Sequence, residues 1–341
     1  MDAVELAACA FMLVIIVVSL VSNILVLVCF LYNPELRAQV PGLFTLNLTV
    51  CNVALTVSNM PLTLAGVVSG AQPGGDALCQ VLGFLDTFLS TNSMLSMAAL
   101  SIDRWLAVVF PLRYHSRMRH RDALLVLGYA WTHSASFSAA AACLSLVGYH
   151  RLYASCTLVA SSRAHEARTR FVAFTVLFHA CTFLLSCVVL CVTYLKVLKV
   201  ARFHCRRIDV ITMQTLVLLV DIHPSVRQRC LEEKKRRRQR ATKKISTFIG
   251  TFMICFAPYV ITRVLELFPA VHVPPRWALL SKLLAYSKAA CDPFVYSLLR
   301  HQYRQTCAHI LDRVLRRRAL DTARRGPEHR GEGEGRGQSL S

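Results

Sequence analysis

Residues 96–115 read Ser-Met-Ala-Ala-Leu-Ser-Ile-Asp-Arg-Trp-Leu-Ala-Val-Val-Phe-Pro-Leu-Arg-Tyr-His, an apolar run interrupted by Asp103 and Arg104 and closed by Pro111. Charged groups at the inner end of an apolar helix are costly unless they satisfy each other or face a protein cavity, so such a pair points to function. The plainer alternative is an Arg snorkelling to a membrane edge. The residues on the C-terminal side favour function: Pro111-Leu112 ends the helix, and Arg113, Arg117, Arg119 and Arg121 make a basic loop.

The rest of the chain has to be a membrane protein. Its 341 residues are 55% hydrophobic and 17% charged, too apolar for a soluble domain of this length. A crossing needs about 20 apolar residues. Seven segments qualify, at 7–31, 43–68, 79–110, 122–147, 170–200, 245–268 and 278–299. The first continues past signal-peptide length into Asn23 and has no basic leader, so it reads as a span.

A net charge of +20 raises the question of nucleic acid, and its distribution answers against it. Most of the 39 Lys and Arg lie in the loops after spans one, three and five and in the C-terminal tail. This positive-inside pattern puts residues 1–6 outside the cell and the C-terminus in the cytosol. Beside spans, Lys234–Arg238 and Arg316–Arg318 are expected to meet anionic lipid and a cytosolic partner. Most of the 14 Cys lie in spans or on the cytosolic side, where disulfides rarely persist. Cys79 and Cys156 are the outer candidates, with Cys9 as a third, and no spacing resembles a zinc site.

Taken together, these features resemble the rhodopsin-like (class A) G-protein-coupled receptors over residues 7–315. Asp103-Arg104-Trp105 stands where that family has Asp-Arg-Tyr. Ser22-Asn23, Asn52, Trp131 and Tyr194 match or replace its markers in spans one, two, four and five. Phe252 and Cys255-Phe256-Ala257-Pro258 resemble its sixth-span hinge, and Asp292-Pro293-Phe294-Val295-Tyr296 is an Asp version of Asn-Pro-x-x-Tyr. The usual proline of the fifth span is Ser186, which leaves the expected bulge there in doubt. The resemblance implies an all-α fold, a seven-transmembrane-helix bundle over 7–299 with a third cytoplasmic loop at 201–244. It also implies a Cys79–Cys156 bridge, a plasma-membrane location and a heterotrimeric G protein as partner. Within the family the likeness is to orphan receptors, so it implies no established ligand.

The resemblance assigns G-protein coupling to Asp103, Arg104, Leu112, Tyr194 and Tyr296, and a hinge to Phe252, Pro258 and Pro293. Many members restrain the Arg with a Glu at the inner end of span six. The matching position here is Arg238, so high basal signalling is expected, with Gs and cAMP as the first class to test. The outer pocket is assigned to Asp86, Phe183, Phe256, Arg263, Glu266, Lys282 and Tyr286. Asp86 lies roughly five turns above Arg104 and is able to hold a ligand ammonium, unless Lys282 already neutralises it and Arg263 pairs with Glu266. Phe178 and Thr182 stand where catecholamine receptors have Ser, which disfavours catecholamines. A small-molecule, peptide or lipid ligand, or none, stays open.

A central polar cluster is expected from Asn23, Asn52, Ser93, Lys288 and Asp292. The family commonly binds sodium there. In this chain the carboxylate has moved to span seven, and Lys288, four residues from Asp292, brings an ammonium that makes sodium redundant. Residues 300–315 form an amphipathic membrane-surface helix in which Tyr303, Cys307 and Ile310 recur at helical spacing. Cys307 is a palmitoylation candidate, with a buried free thiol as the alternative. Residues 316–341 read as a disordered tail. Only Thr322, Ser339 and Ser341 offer phosphorylation sites there, so arrestin recruitment is expected to be weak. The apolar segment 210–220 is too short to span and fits a surface segment or an extension of span five or six.

Other classes fit less well. A multi-span transporter without G-protein coupling is the alternative, but no paired halves with broken helices are found. A retinal pigment needs a Schiff-base Lys where Tyr286 stands. No nucleophile, base and orienting group cluster to suggest an enzyme, and no cofactor is implied.

Overall fold

The computed structural model describes residues 3–160, 165–218, 247–298 and 301–325. Its helices are α1 (Ala3–Tyr32), α2 (Pro34–Ala38), α3 (Val40–Ser69), α4 (Asp76–Val109), α5 (Tyr114–Arg117), α6 (His120–Cys143), α7 (His165–His179), α8 (Leu185–Leu218), α9 (Thr247–Leu265), α10 (Pro275–Asp292) and α11 (His301–Arg325). A π-helical stretch, Ala180–Leu184, joins α7 to α8 as one fifth span, and another, Pro293–Leu298, continues α10. Each of the seven expected spans thus contains a long helix among its described residues. α4 runs through the middle, packed on α3, α6 and α8, while α1 packs on α3 and α10.

Among the described residues, length and apolarity alone mark four segments as able to cross a membrane: α1, α3, His165–Val200 and α9. α4, α6 and α10 are more polar, and the structure shows why that is tolerable. Asp86, Asp103, Lys282, Lys288 and Asp292 are all buried, as are Ser134 and Ser138 of α6. Charges turned into the bundle avoid hydrocarbon. The opposite faces carry exposed Val14, Val17, Leu25, Val57, Leu125, Val188 and Ile254, as a lipid-facing surface requires. Phe44, Leu48, Met97, Leu100, Leu190, Phe248 and Phe252 fill the main core between the spans.

Local chemistry sets the helix ends. The Asn33 side chain accepts from the Glu35 amide (2.9 Å) and Pro34 occupies the first turn of α2. Gly70 closes α3 in a left-handed conformation (φ 65°) that favours glycine. α6 stops at Cys143, four residues before the expected end of its span. Ser145 is left-handed and the Leu146 amide reaches back to the Ala141 carbonyl (2.9 Å), which releases Val147 into a strand.

That strand, β1 (Val147–His150), pairs antiparallel with β2 (Ser155–Leu158), Val147 opposite Leu158 and His150 opposite Ser155. The hairpin lies over the outer end of α4, which it can approach closely because position 83 is glycine. A Cβ there would run into the Val147 side chain. The Cys79–Cys156 disulfide ties the hairpin to α4, and Cys9 is a free thiol.

Two boundaries at the inner end of the bundle differ from expectation. α8 continues to Leu218, so the apolar segment from Val210 extends the fifth span and the loop begins later than residue 201. α11 continues to Arg325, ten residues into the stretch expected to be disordered from 316. Arg, Ala and Leu dominate that stretch, and all three favour helix. Tyr303, Cys307 and Ile310 of α11 pack against Val26, Cys29, Phe30 and Leu36, whereas Leu311 and Leu315 are exposed. The run Lys234–Arg238, including the expected lock position Arg238, lies outside the described residues, as do Ser339 and Ser341.

The disulfide closes a separation of 77 residues. A Cys156→Ser substitution is expected to cost roughly 2–5 kcal/mol, visible as a lower thermal midpoint of the detergent-solubilised protein. Reduction of the parent should move the midpoint the same way.

Candidate functional site

The polar side chains inside the bundle form three groups. The outermost lies beneath the hairpin, around a small cavity of about 40 Å³ lined by α4, the fifth span, α9, α10 and β2. Lys282 and Tyr286, one turn apart on α10, both face Asp86 of α4. Lys282 Nζ donates to Asp86 Oδ2 (2.6 Å) and Tyr286 OH donates to Oδ1 (3.2 Å). The ammonium also lies 4.9 Å from the centre of the Tyr259 ring and 4.8 Å from that of Tyr286, within cation–π range.

A second ion pair borders the same cavity. Arg263 is 1% exposed, and its Nη1 donates to Glu266 Oε2 (2.6 Å) while Nη2 donates to the Leu158 carbonyl of β2. Tyr153 in the hairpin turn donates to Glu266 Oε1 (2.7 Å). The cluster thus fastens the hairpin to α9 as the disulfide fastens it to α4. His150 sits 4.0 Å from Glu266. Burial and the neighbouring Arg263 charge nevertheless push its pKa down to about 3, so it is neutral at physiological pH.

Phe183 and Phe256 also line the cavity. Phe183 stacks on Phe252 (5.8 Å between centroids), and Phe252 packs at 5.3 Å against Phe256. This aromatic column leads from the cavity floor to the inner half of α9. Pro258 lies within that helix, and Thr262 Oγ1 donates to the Pro258 carbonyl (2.6 Å). The π-helical turn of the fifth span forms although Ser186 replaces proline. The bulge there needs no proline.

In the middle of the bundle Lys288 Nζ and Asp292 Oδ2 are 2.7 Å apart. Asn52 Nδ2 donates to the same Asp292 oxygen (3.0 Å) and, at 3.3 Å, to Asn23 Oδ1. Asn23 Nδ2 donates to the Ala289 carbonyl (2.9 Å). Spans one, two and seven are thereby joined. Ser93 is buried but takes part in none of these hydrogen bonds. The Asp292 oxygen that faces Asn52 thus already lies against an ammonium, whereas Asp292 Oδ1 and Asn52 Oδ1 have no hydrogen-bond partner among the described residues.

The third group is at the inner end. Asp103 Oδ1 accepts from Tyr114 OH (2.6 Å), and among the described residues no ion pair joins Asp103 to Arg104. Buried Arg104 Nη2 and Tyr296 OH have no hydrogen-bond partner among the described residues. Tyr194, Phe248 and Tyr296 run in sequence with centroids 4.5 and 4.3 Å apart, and Pro293 opens the π-helical stretch that carries Tyr296. Leu112 is fully exposed. At the base of α1, Cys29 and Cys307 have their sulfurs 3.1 Å apart, so the Cys307 thiol faces protein.

The structure brings together Asp86 with Lys282 and Tyr286, Arg263 with Glu266, and Lys288 with Asp292, Asn52 and Asn23, while Ser93 stays outside its cluster and Leu112 is exposed. Sequence reasoning missed Tyr114, Tyr153, Tyr259 and Cys29. Tyr114 and Tyr259 were detectable in principle, since each lies one to three residues from a proline already singled out.

Lys288→Asn leaves Asp292 without its cation, a loss of about 3–5 kcal/mol for a buried pair. Replacing other salts by sodium at constant ionic strength should then raise the thermal midpoint of the variant and leave the parent unchanged. A parent stabilised by sodium to the same extent would contradict the assignment.

Comparison with known proteins agrees with this architecture. Residues 22–296 match the family model described as 7 transmembrane receptor (rhodopsin family). The chain is 68% identical to G-protein coupled receptor 26 of Homo sapiens, over 90% of each chain. It is 52% identical to G-protein coupled receptor 78 of Homo sapiens, over 90% of this chain and 84% of that one. A more distant likeness, 26% identity over 82% of this chain and 78% of the other, is to 5-hydroxytryptamine receptor 5B of Mus musculus. With the family model matching residues 22–296 and two receptors matched over nine-tenths of its length, the chain belongs to the rhodopsin family of seven-transmembrane receptors.

Proposed function

We propose that this receptor signals from the plasma membrane, N-terminus outside, to a heterotrimeric G protein with high output in the absence of any added ligand. The observation that carries the reading is the engagement of Asp103 by Tyr114. Tyr114 takes one carboxylate oxygen, and the buried Nη2 of Arg104 has no hydrogen-bond partner among the described residues. A buried donor without a partner is unfavourable, and a helix end of the G protein offers carbonyls and carboxylates to accept from it. Exposed Leu112 supplies an apolar contact beside it. Gs, read as cAMP, is the first class to test.

The pocket charges support the same reading. A receptor waiting for an amine should present an unpaired carboxylate, and here Asp86 is already engaged by Lys282. Any ligand of the remaining cavity has to be recognised by its hydroxyls and aromatic rings. At the inner face, exposed Arg313 and Arg316 favour anionic lipid.

Basal second-messenger output should exceed that of empty vector for at least one G-protein class, and Arg104→Ala should abolish it at equal surface expression. A well-expressed receptor with no output above vector in every class would refute the proposal. Arrestin recruitment should be weak and should fall little when residues 319–341 are deleted. Loss of most of a proximity signal on that deletion would show that the tail matters.

A further inference from the structure

We infer that Lys282 is a built-in ligand: its ammonium fills a cation site formed by Asp86, Tyr259 and Tyr286, and removing its side chain opens that site to a small primary alkylammonium. The inference deepens the receptor reading, resting on it only for the importance of the pocket to signalling.

The surroundings of Nζ are those of a recognition site for a primary ammonium. One carboxylate oxygen lies at 2.6 Å and two tyrosine rings lie at 4.8 and 4.9 Å. The Asp86 carboxylate is oriented independently of the lysine, since Tyr286 OH donates to its other oxygen (3.2 Å) and is itself within 3.2 Å of Thr63 Oγ1. Asp86, Lys282 and Tyr286 are only 4%, 2% and 2% exposed. The site adjoins the cavity, which Asp86, Tyr259, Lys282 and Tyr286 all help to line. A small molecule therefore has a place from which to enter.

The geometry also explains why an external amine cannot use the intact site. Charge and hydrogen-bond capacity are already satisfied, and a tethered group acts at an effective concentration that a free ligand has to exceed. The other carboxylate near the cavity, Glu266, is likewise held by Arg263 and Tyr153. An ammonium entering the cavity would meet two existing cations, Lys282 and Arg263, and no carboxylate in its lining other than the paired Asp86.

The test uses the shape of the missing piece. Lys282→Ala keeps Cβ and removes Cγ, Cδ, Cε and Nζ, the heavy atoms of n-propylammonium. Surface level and thermal midpoint of the full chain are measured with n-propylammonium, with n-propanol as the uncharged control and with tetramethylammonium as a cation that cannot donate a hydrogen bond. The variant should reach the surface several-fold less than the parent, because it leaves a buried carboxylate unpaired. n-Propylammonium should restore most of that loss and raise the midpoint, while neither control does and the parent does not respond. Adding Asp86→Asn should abolish the response.

The inference is overturned if n-propylammonium leaves Lys282→Ala unchanged, including a variant that stays unrecovered with the amine present. It is equally overturned if the parent responds as strongly, or if the rescue persists without Asp86. Neither readout involves a G protein. Second-messenger output recorded in the same cells therefore tests the receptor reading separately.

Discussion

Neutralisation of buried charge within the bundle is the constraint on which the remaining structure depends. Three acidic groups, Asp86, Glu266 and Asp292, are held by Lys282, Arg263 and Lys288 at 2.6 to 2.7 Å. In a medium without water, an ion pair of this kind is weak evidence for added stability, but loss of one partner is costly. The pairs therefore act as conditions on how the helices may sit. Asp86 and Lys282 hold α4 to α10, and the Asp292 cluster draws α1 and α3 to the same helix. The disulfide and Glu266 then fasten the hairpin over that arrangement.

These constraints also separate the two ends of the molecule. The outer half is closed by covalent and ionic ties. The inner half is mainly aromatic packing, with Tyr194, Phe248 and Tyr296 in sequence and with Arg104 Nη2 and Tyr296 OH lacking partners among the described residues. A region held by dispersion forces and bordered by unpaired donors has less to lose on rearrangement than one held by buried ion pairs. Rearrangement is thus least costly at the end of the bundle that carries Arg104 and Tyr296.

Much of this was legible in the sequence. Span lengths, the positive-inside asymmetry and the prolines at 111, 258 and 293 fix an all-α bundle, and the three ion pairs were visible as opposite charges at compatible helical positions. Contacts that depend on how a loop folds back were less visible. Tyr114 reaches Asp103 only because the chain turns after Phe110 into a short helical segment. Tyr153 reaches Glu266 only because the outer loop forms a hairpin. The end of α6 differs from expectation for a related reason: Leu144–Val147 are apolar enough to continue a span, and pairing of Val147 with Leu158 decides otherwise. α11 runs longer than its apolar pattern, because helix propensity persists where amphipathicity stops.

The π-helical turn at Ala180–Leu184 sets the frame of the fifth span. Such a turn holds one residue more than an α-helical turn would, and each residue of α-helix advances the azimuth by about 100°. The outer segment, with Phe171, Phe174 and Phe178 packed under the hairpin, and the inner segment, with Leu190 and Tyr194 in the main core, are therefore phased independently. A continuous α-helix could satisfy one of these two faces but not both. Deleting a single residue between 180 and 184 would restore a regular helix and at the same time rotate one half of its contacts out toward lipid.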